Sequence, residues 1–222
     1  NFKLQKEELY RIIKKGKIKI LFLPNPNQPI EDNFSLNEVK KILTLCKKKR
    51  ILLVIDEAYY MFGCDTASSL CKNNENILVL RTFSKSFGLP SIRFGYVIGH
   101  KKLIDIFNTY RLSYESNLLS DSTIKYFIKN NRGIKKYISQ VKQGRDYLKK
   151  KLISMKLNVI GGKSNFLLID FKNIKLLKEI LEKFKKKKIY VKSYNQSYLK
   201  TCILLTCGSK KTMNKVLEVI KK

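Results

Sequence analysis

A single lysine, Lys85, stands in a short run of hydroxyls and cations, Arg81-Thr82-Phe83-Ser84-Lys85-Ser86, that follows four apolar residues, Ile77 to Leu80. Arg93 comes next, beyond Gly88 and Pro90. Thr82, Ser84 and an arginine suit a phosphate, because hydroxyls donate hydrogen bonds and a guanidinium gives a bidentate, permanently charged contact. Upstream, Asp56-Glu57-Ala58-Tyr59-Tyr60 ends a second apolar run, Ile51 to Ile55. A carboxylate is repelled by a phosphate at close range, but it pairs well with a protonated ring nitrogen at the far end of the same ligand. A phosphorylated pyridine aldehyde meets both demands, and it needs a lysine amine to form a Schiff base. Taken alone, the Lys85 loop also has the pattern of a solvated polar turn.

Three strands must bring these groups to one edge. Ile18 to Leu23 reads as the first and stops at Pro24-Asn25-Pro26-Asn27-Gln28-Pro29, where prolines deny further ladder bonds and side-chain amides face the strand end. Ile51 to Ile55 and Ile77 to Leu80 are the second and third, each apolar enough for burial on both faces. Phe94 to Ile98 is a fourth. Between them lie amphipathic helices: residues 5 to 15, ending at Gly16, and a helix opened by Ser35 with Glu38 three residues on, a capping box. Open α/β sheets place ligands at such strand ends. Lys101 to Tyr110 is helical, and a long helical region interrupted near Asn130 to Gly133 runs to about Lys156. After Gly161-Gly162 the pattern is strand (Phe166 to Phe171), helix (Ile174 to Lys187), two strands (Ile189 to Lys192, Cys202 to Thr206) and helix (Lys210 to Ile220), a small α+β unit. The fold class is therefore α/β, a mostly parallel sheet flanked by helices and followed by a small α+β C-terminal domain.

Composition sets limits on partners. The 222 residues carry 47 Lys and Arg against 17 Asp and Glu, a net charge of +30. The excess is nearly all lysine, in scattered runs such as Lys47 to Lys49 and Lys185 to Lys188, and no nucleic-acid reading motif accompanies it, so no nucleic-acid partner is expected. Cys46, Cys64, Cys71, Cys202 and Cys207 form no CxxC pair, which points to neither disulfides nor zinc and fits a reducing cytoplasm. His100 lacks metal-ligand neighbours and reads as a strand-end residue. No apolar stretch is long enough to span a bilayer, so no membrane partner is expected.

PNPNQP (24–29), DEAY (56–59) and RTFSKSFGLPSIRFGY (81–96), in this order and spacing, resemble the signatures of fold-type I pyridoxal-phosphate aminotransferases, most closely the histidinol-phosphate aminotransferase-like branch. Weaker likeness continues through Tyr114 to Asn117, Asn165-Phe166 and Cys202 to Ser209. The resemblance implies residues 1–150 as a partial cofactor-binding large domain with a linker helix and 151–222 as the small C-terminal domain. It implies pyridoxal 5'-phosphate as cofactor, with Lys85 carrying the Schiff base and serving as general base. Asp56 would pair with the pyridine nitrogen and Tyr59 would hydrogen-bond the phenolic oxygen. Gln28 stands where the family has an asparagine at that oxygen, and Thr82, Ser84 and Arg93 would hold the phosphate. Its substrates would be a small amine and a 2-oxo acid, and its assembly a homodimer.

Three departures qualify that resemblance. Ile30 and Glu31 replace a threonine and a glycine after the proline turn. Leu204 stands where the family has an arginine that grips a carboxylate, which leaves Lys192 as a substitute, another mode of binding, or loss of that half of the reaction. The chain also begins where the family is already well into its large domain, so an incomplete site is expected. Transamination, decarboxylation of a phosphorylated amino acid and a truncated non-catalytic relative all stay open.

Overall fold

In the computed structural model, which describes residues 3–221, the apolar runs become strands β1 (Ile20–Pro24), β2 (Leu52–Asp56), β3 (Ile77–Thr82) and β4 (Gly95–Gly99). They form one sheet in the order β1-β2-β3-β4. The first three are parallel, and β4 returns antiparallel to β3. Helices α1 (Lys6–Lys15) and α2 (Leu36–Lys48) cover one face. Ile13 of α1 and Val39, Ile42, Leu43 and Cys46 of α2 form one core with Leu23, Leu53, Ile55, Ile77 and Val79 of the strands. These strand residues alternate along each chain, because successive strand side chains point to opposite faces. The parallel register aligns the strand ends: Pro24 lies beside Asp56, and Asp56 beside Leu80, so three of them share one edge.

Local chemistry sets the helix limits. Ser35 accepts from the Glu38 backbone N–H while the Glu38 carboxylate accepts from the Ser35 N–H, closing the capping box. Gly16 ends α1 in the left-handed conformation, φ 66. His100, read from the sequence as a plain strand-end residue, also caps a helix, since its Nδ1 accepts from the Lys102 N–H at 3.3 Å at the start of α3 (Lys101–Thr109). The long helical region breaks at residues 130–131 into α4 (Leu118–Lys129) and α5 (Arg132–Ser154).

The chain divides into two compact units, residues 1–28 with 32–134, and residues 29–31 with 135–222. The second holds most of α5, then β5 (Asn158–Ile160), β6 (Phe166–Asp170), α6 (Ile174–Lys186), β7 (Lys192–Ser193), β8 (Cys202–Thr206) and α7 (Lys210–Lys221). Its sheet runs β5-β6-β8-β7 and is antiparallel throughout. Two details differ from the sequence pattern. β5 is an edge strand that periodicity did not signal. The strand expected at Ile189 to Lys192 shrinks to Lys192–Ser193, because the Ile189 N–H turns back to the Phe184 carbonyl of α6 at 2.9 Å. Gly144 of α5 lies against the turn before α7, where a Cβ would run into the Gly208 carbonyl oxygen. Leu204 is buried on β8, opposite Leu168 of β6 and Lys192 of β7. Among the described residues no helix is long and apolar enough to cross a membrane.

Lys6 donates to Glu38 at 2.6 Å, and this bond, aided by the Ser35 backbone and hydroxyl, holds the Glu38 carboxyl down at about 2 against an ordinary value of 4.5. A depressed carboxyl stabilises the fold above its unfolded value and loses that contribution as pH falls through the folded one. Urea midpoints of the wild type should therefore fall between 4.5 and about 2, and the Glu38→Gln variant should lose less over that window. Ser35→Ala should cost about 1 kcal/mol at neutral pH.

Candidate active site

The polar residues singled out from the sequence gather at the carboxyl edge of the first sheet. Asp56 is the last residue of β2, half-buried, with Oδ1 accepting from the Ala58 N–H at 3.0 Å. That bond turns the chain sharply after the strand and brings Tyr59, 7% exposed, back beneath the edge. Lys85 comes from the turn after β3, which closes where the Gly88 N–H meets the Lys85 carbonyl at 3.1 Å. Its Nζ lies 5.5 Å from the centre of the Tyr59 ring, a cation over an aromatic face. Tyr59 and Lys85, far apart in sequence, thus meet at one point.

Thr82 closes β3 and shapes the same turn. Its hydroxyl donates to the Phe94 carbonyl at 3.3 Å and accepts from the Ser84 N–H at 3.0 Å. The Phe83 N–H also reaches the Phe94 carbonyl, at 3.1 Å, so the chain just after Arg93 runs beside the Thr82–Ser84 turn. Arg93 itself takes a left-handed backbone, φ 51, and its guanidinium donates to the Pro90 carbonyl at 3.1 Å. The antiparallel return needs Gly95, where a Cβ would stand 2.8 Å from the Arg81 carbonyl oxygen.

Directly behind the edge lies a network that the sequence pattern did not reveal. Glu57 is fully buried and accepts from Arg81 Nε at 3.0 Å and Nη2 at 2.9 Å, from the Thr66 hydroxyl at 2.8 Å and from the Ala67 N–H at 2.6 Å. Arg81 belongs to β3 rather than to the polar turn, and it stacks 3.7 Å from the centre of the Tyr60 ring. Burial pushes the Tyr60 hydroxyl up to about 12, with a bond to Tyr96 adding to the shift and Arg81 opposing it, so the phenol stays protonated. The missed signal was register: once Asp56 pairs with Leu80, the next residues along two parallel strands are Glu57 and Arg81.

The proline turn after β1 divides its amides between two roles. Asn25 is buried and exchanges both side-chain bonds with the Phe34 backbone, at 2.8 and 3.1 Å, while Asn27 accepts from the Asp32 N–H at 2.9 Å. Those two amides fold the turn on itself, whereas Gln28 is exposed at its tip. Glu31 adopts φ 57, the conformation a glycine takes without strain, at a cost to a side-chain-bearing residue of about 1 kcal/mol.

A family model described as "Aminotransferase class I and II" matches residues 1–220. This chain belongs to that family. It is 32% identical over 209 residues to a histidinol-phosphate aminotransferase of Thermotoga neapolitana, covering 93% of this chain and 59% of the relative. It is 29% identical over 225 residues to a dihydroxyacetone phosphate transaminase of Campylobacter jejuni, covering 100% and 60%. The crystal structure of histidinol-phosphate aminotransferase from Sinorhizobium meliloti in complex with pyridoxal-5'-phosphate superposes with a TM-score of 0.83 at 18% identity, over 100% of this chain and 62% of that one. That likeness carries the fold, an α/β sheet followed by an antiparallel sheet with helices. The chain spans about 60% of the length of the two curated relatives.

The buried ion pair makes a sharp stability prediction. Arg81→Met leaves the Glu57 carboxylate buried beside too few donors and should cost about 3 kcal/mol or more in urea unfolding. The double variant Glu57→Leu, Arg81→Met removes both charges and should recover much of that loss.

Proposed function

We propose that this chain holds pyridoxal 5'-phosphate at the carboxyl edge of its first sheet and takes part in moving an amino group between a small amine, phosphorylated amines included, and a 2-oxo acid. The observation that carries this reading is the meeting of Lys85 Nζ with the Tyr59 ring beside the end of β2, where Asp56 stands. The donor set fits the cofactor: one amine, one carboxylate, one hydroxyl and a guanidinium on a neighbouring loop. Bound there, the cofactor supplies an electron sink for the bonds at the substrate's Cα.

Each residue then has a role in keeping with its chemistry. Lys85 would hold the aldehyde carbon through Nζ, and its amine, when free, would move a proton between the substrate's Cα and that aldehyde-derived carbon. Asp56 holds a proton on the pyridine nitrogen by pairing with it, and its own orientation is set by the Ala58 N–H. Tyr59 and Gln28 orient the ring through its phenolic oxygen. Ser84 and Arg93 bind the phosphate; Thr82, read from the sequence as a third phosphate donor, gives its one hydroxyl hydrogen to the Phe94 carbonyl and, accepting from the Ser84 N–H, keeps that turn in shape. Family membership and the similarity to two transaminases of phosphorylated substrates support the substrate class.

Added pyridoxal 5'-phosphate should raise an absorbance band near about 420 nm, where a protonated lysine adduct of the aldehyde absorbs. Lys85→Ala should abolish it, and a band that survives this substitution would sink the assignment. Mixing the loaded protein with histidinol phosphate should bleach the band, whereas an unchanged band there together with carbon dioxide release from a phosphorylated amino acid would mark a decarboxylase instead.

A further inference from the structure

The rings around Lys85 take no part in the chemistry above, yet they are arranged as a fastening. Phe83 and Phe87 stand two residues before and two residues after the lysine, and their ring centres lie 4.6 Å apart, tilted by 60°. For the two rings to meet across a lysine the loop must fold back on itself. Its own backbone does this: the Phe83 carbonyl accepts from the Leu89 N–H at 3.2 Å, and the Lys85 carbonyl accepts from the Gly88 N–H at 3.1 Å. Lys85 therefore rides on a loop from Phe83 to Leu89 whose ends are joined by a backbone bond and whose flanks are drawn together by a pair of rings.

The fastening is anchored below. Phe83 is buried, meets the Phe94 ring edge-on at 5.8 Å and the Tyr96 ring at 5.6 Å, and its N–H bonds the Phe94 carbonyl at 3.1 Å. Tyr96 lies on β4 opposite Arg81 and is bonded to Tyr60, the neighbour of Tyr59. Contacts between aromatic residues thus lead from the Lys85 loop to the loop that carries Tyr59, and Lys85 Nζ stands over the Tyr59 ring at 5.5 Å. Ring pairs prefer particular tilts and offsets, so they hold a set separation. A lysine hangs its amine on a flexible four-carbon stem, and the amine keeps one place only if the backbone beneath is fixed and the far end is gripped. The ring pair supplies the first condition and Tyr59 the second.

We infer that Phe87 is a positioning residue for Lys85: its ring, packed on Phe83 across the base of the lysine, keeps the amine over the Tyr59 face and so ready for the cofactor's aldehyde. The link to the aldehyde rests on the proposed function, whereas the fastening is a property of the chain alone. Phe83 is too deeply buried to be a clean test. Phe87 is half-buried, so Phe87→Ala trims a ring at the edge of the cluster without emptying the core, and Phe87→Tyr keeps the ring pair. Urea unfolding of each variant checks that the fold is retained.

Two readouts on the full chain test the fastening. Limited acetylation without cofactor, followed by digestion and mass spectrometry, gives the rate at Lys85 relative to the exposed lysines of the same chain. That relative rate should rise about threefold in Phe87→Ala, as it should in Tyr59→Leu, while Phe87→Tyr matches the wild type. The double variant Tyr59→Leu, Phe87→Ala should react no faster than the faster single variant, because both remove the same grip. With cofactor added, the concentration that half-develops the band near about 420 nm should rise about threefold in Phe87→Ala and stay unchanged in Phe87→Tyr. A ring that served only the fold would lower the urea midpoint and leave the relative rate at Lys85 alone, so an unchanged rate in Phe87→Ala, or effects that simply add in the double variant, overturns the fastening. A faster Lys85 with unchanged half-saturation overturns its link to the cofactor. A wild type that forms no band overturns the proposed function, and the acetylation result still decides whether Phe87 holds Lys85.

Discussion

Glu57 and Arg81 hold the strand ends on which the candidate site depends. A carboxylate with no exposure is tolerable only when a cation and several donors surround it, and here the guanidinium supplies two bonds, Thr66 one and the Ala67 N–H another. The pair ties β2 to β3 one residue beyond Asp56 and one residue before Thr82. Any slip of register between these parallel strands would pull the carboxylate from its partners, so the ion pair locks the alignment of two residues that lie outside it. Its net contribution to stability is modest against an apolar pair, and its value lies in the alignment it enforces.

The polar residues at the edge follow a consistent division of labour. Those nearest the backbone spend their side chains on folding: Asn25 and Asn27 on the proline turn, Thr82 on the loop after β3. Lys85 and Gln28 project beyond that framework. Such an arrangement is what a binding edge requires, because a group that must be pre-organised for a ligand has to be held by neighbours that are themselves fully bonded. Glu31, a few residues on, takes a left-handed backbone and bonds residues more than a hundred positions away in sequence.

Charge plays a smaller part than its size suggests. The net +30 comes from lysines distributed along the helices and their ends. Where charge is buried it is paired and specific, as in Glu57 with Arg81. Leu204, buried between Leu168 and Lys192, belongs to the apolar fabric of the second sheet rather than to any charged contact.

Much of this molecule is written locally in its sequence. Apolar runs ending in proline, acid or a polar turn specified β1, β2 and β3, Ser35 and Glu38 specified the start of α2, and Gly16 specified the end of α1, because each depends on hydrogen bonds and side-chain periods that span only a few residues. The motifs around Gln28, Asp56 and Lys85 were likewise legible, since their residue types and order carry the likeness to the family to which the chain belongs. The tertiary structure decided what depends on distant partners. It moved Arg81 from the polar turn into an ion pair with Glu57, turned Asn25 and Asn27 inward, shortened the strand at Lys192 and seated Glu31 on Lys163 and Ser164. None of these is set by local pattern, because strand register and the docking of segments far apart in the chain are settled by the packing of the whole core, and only then does a given side chain acquire its neighbour.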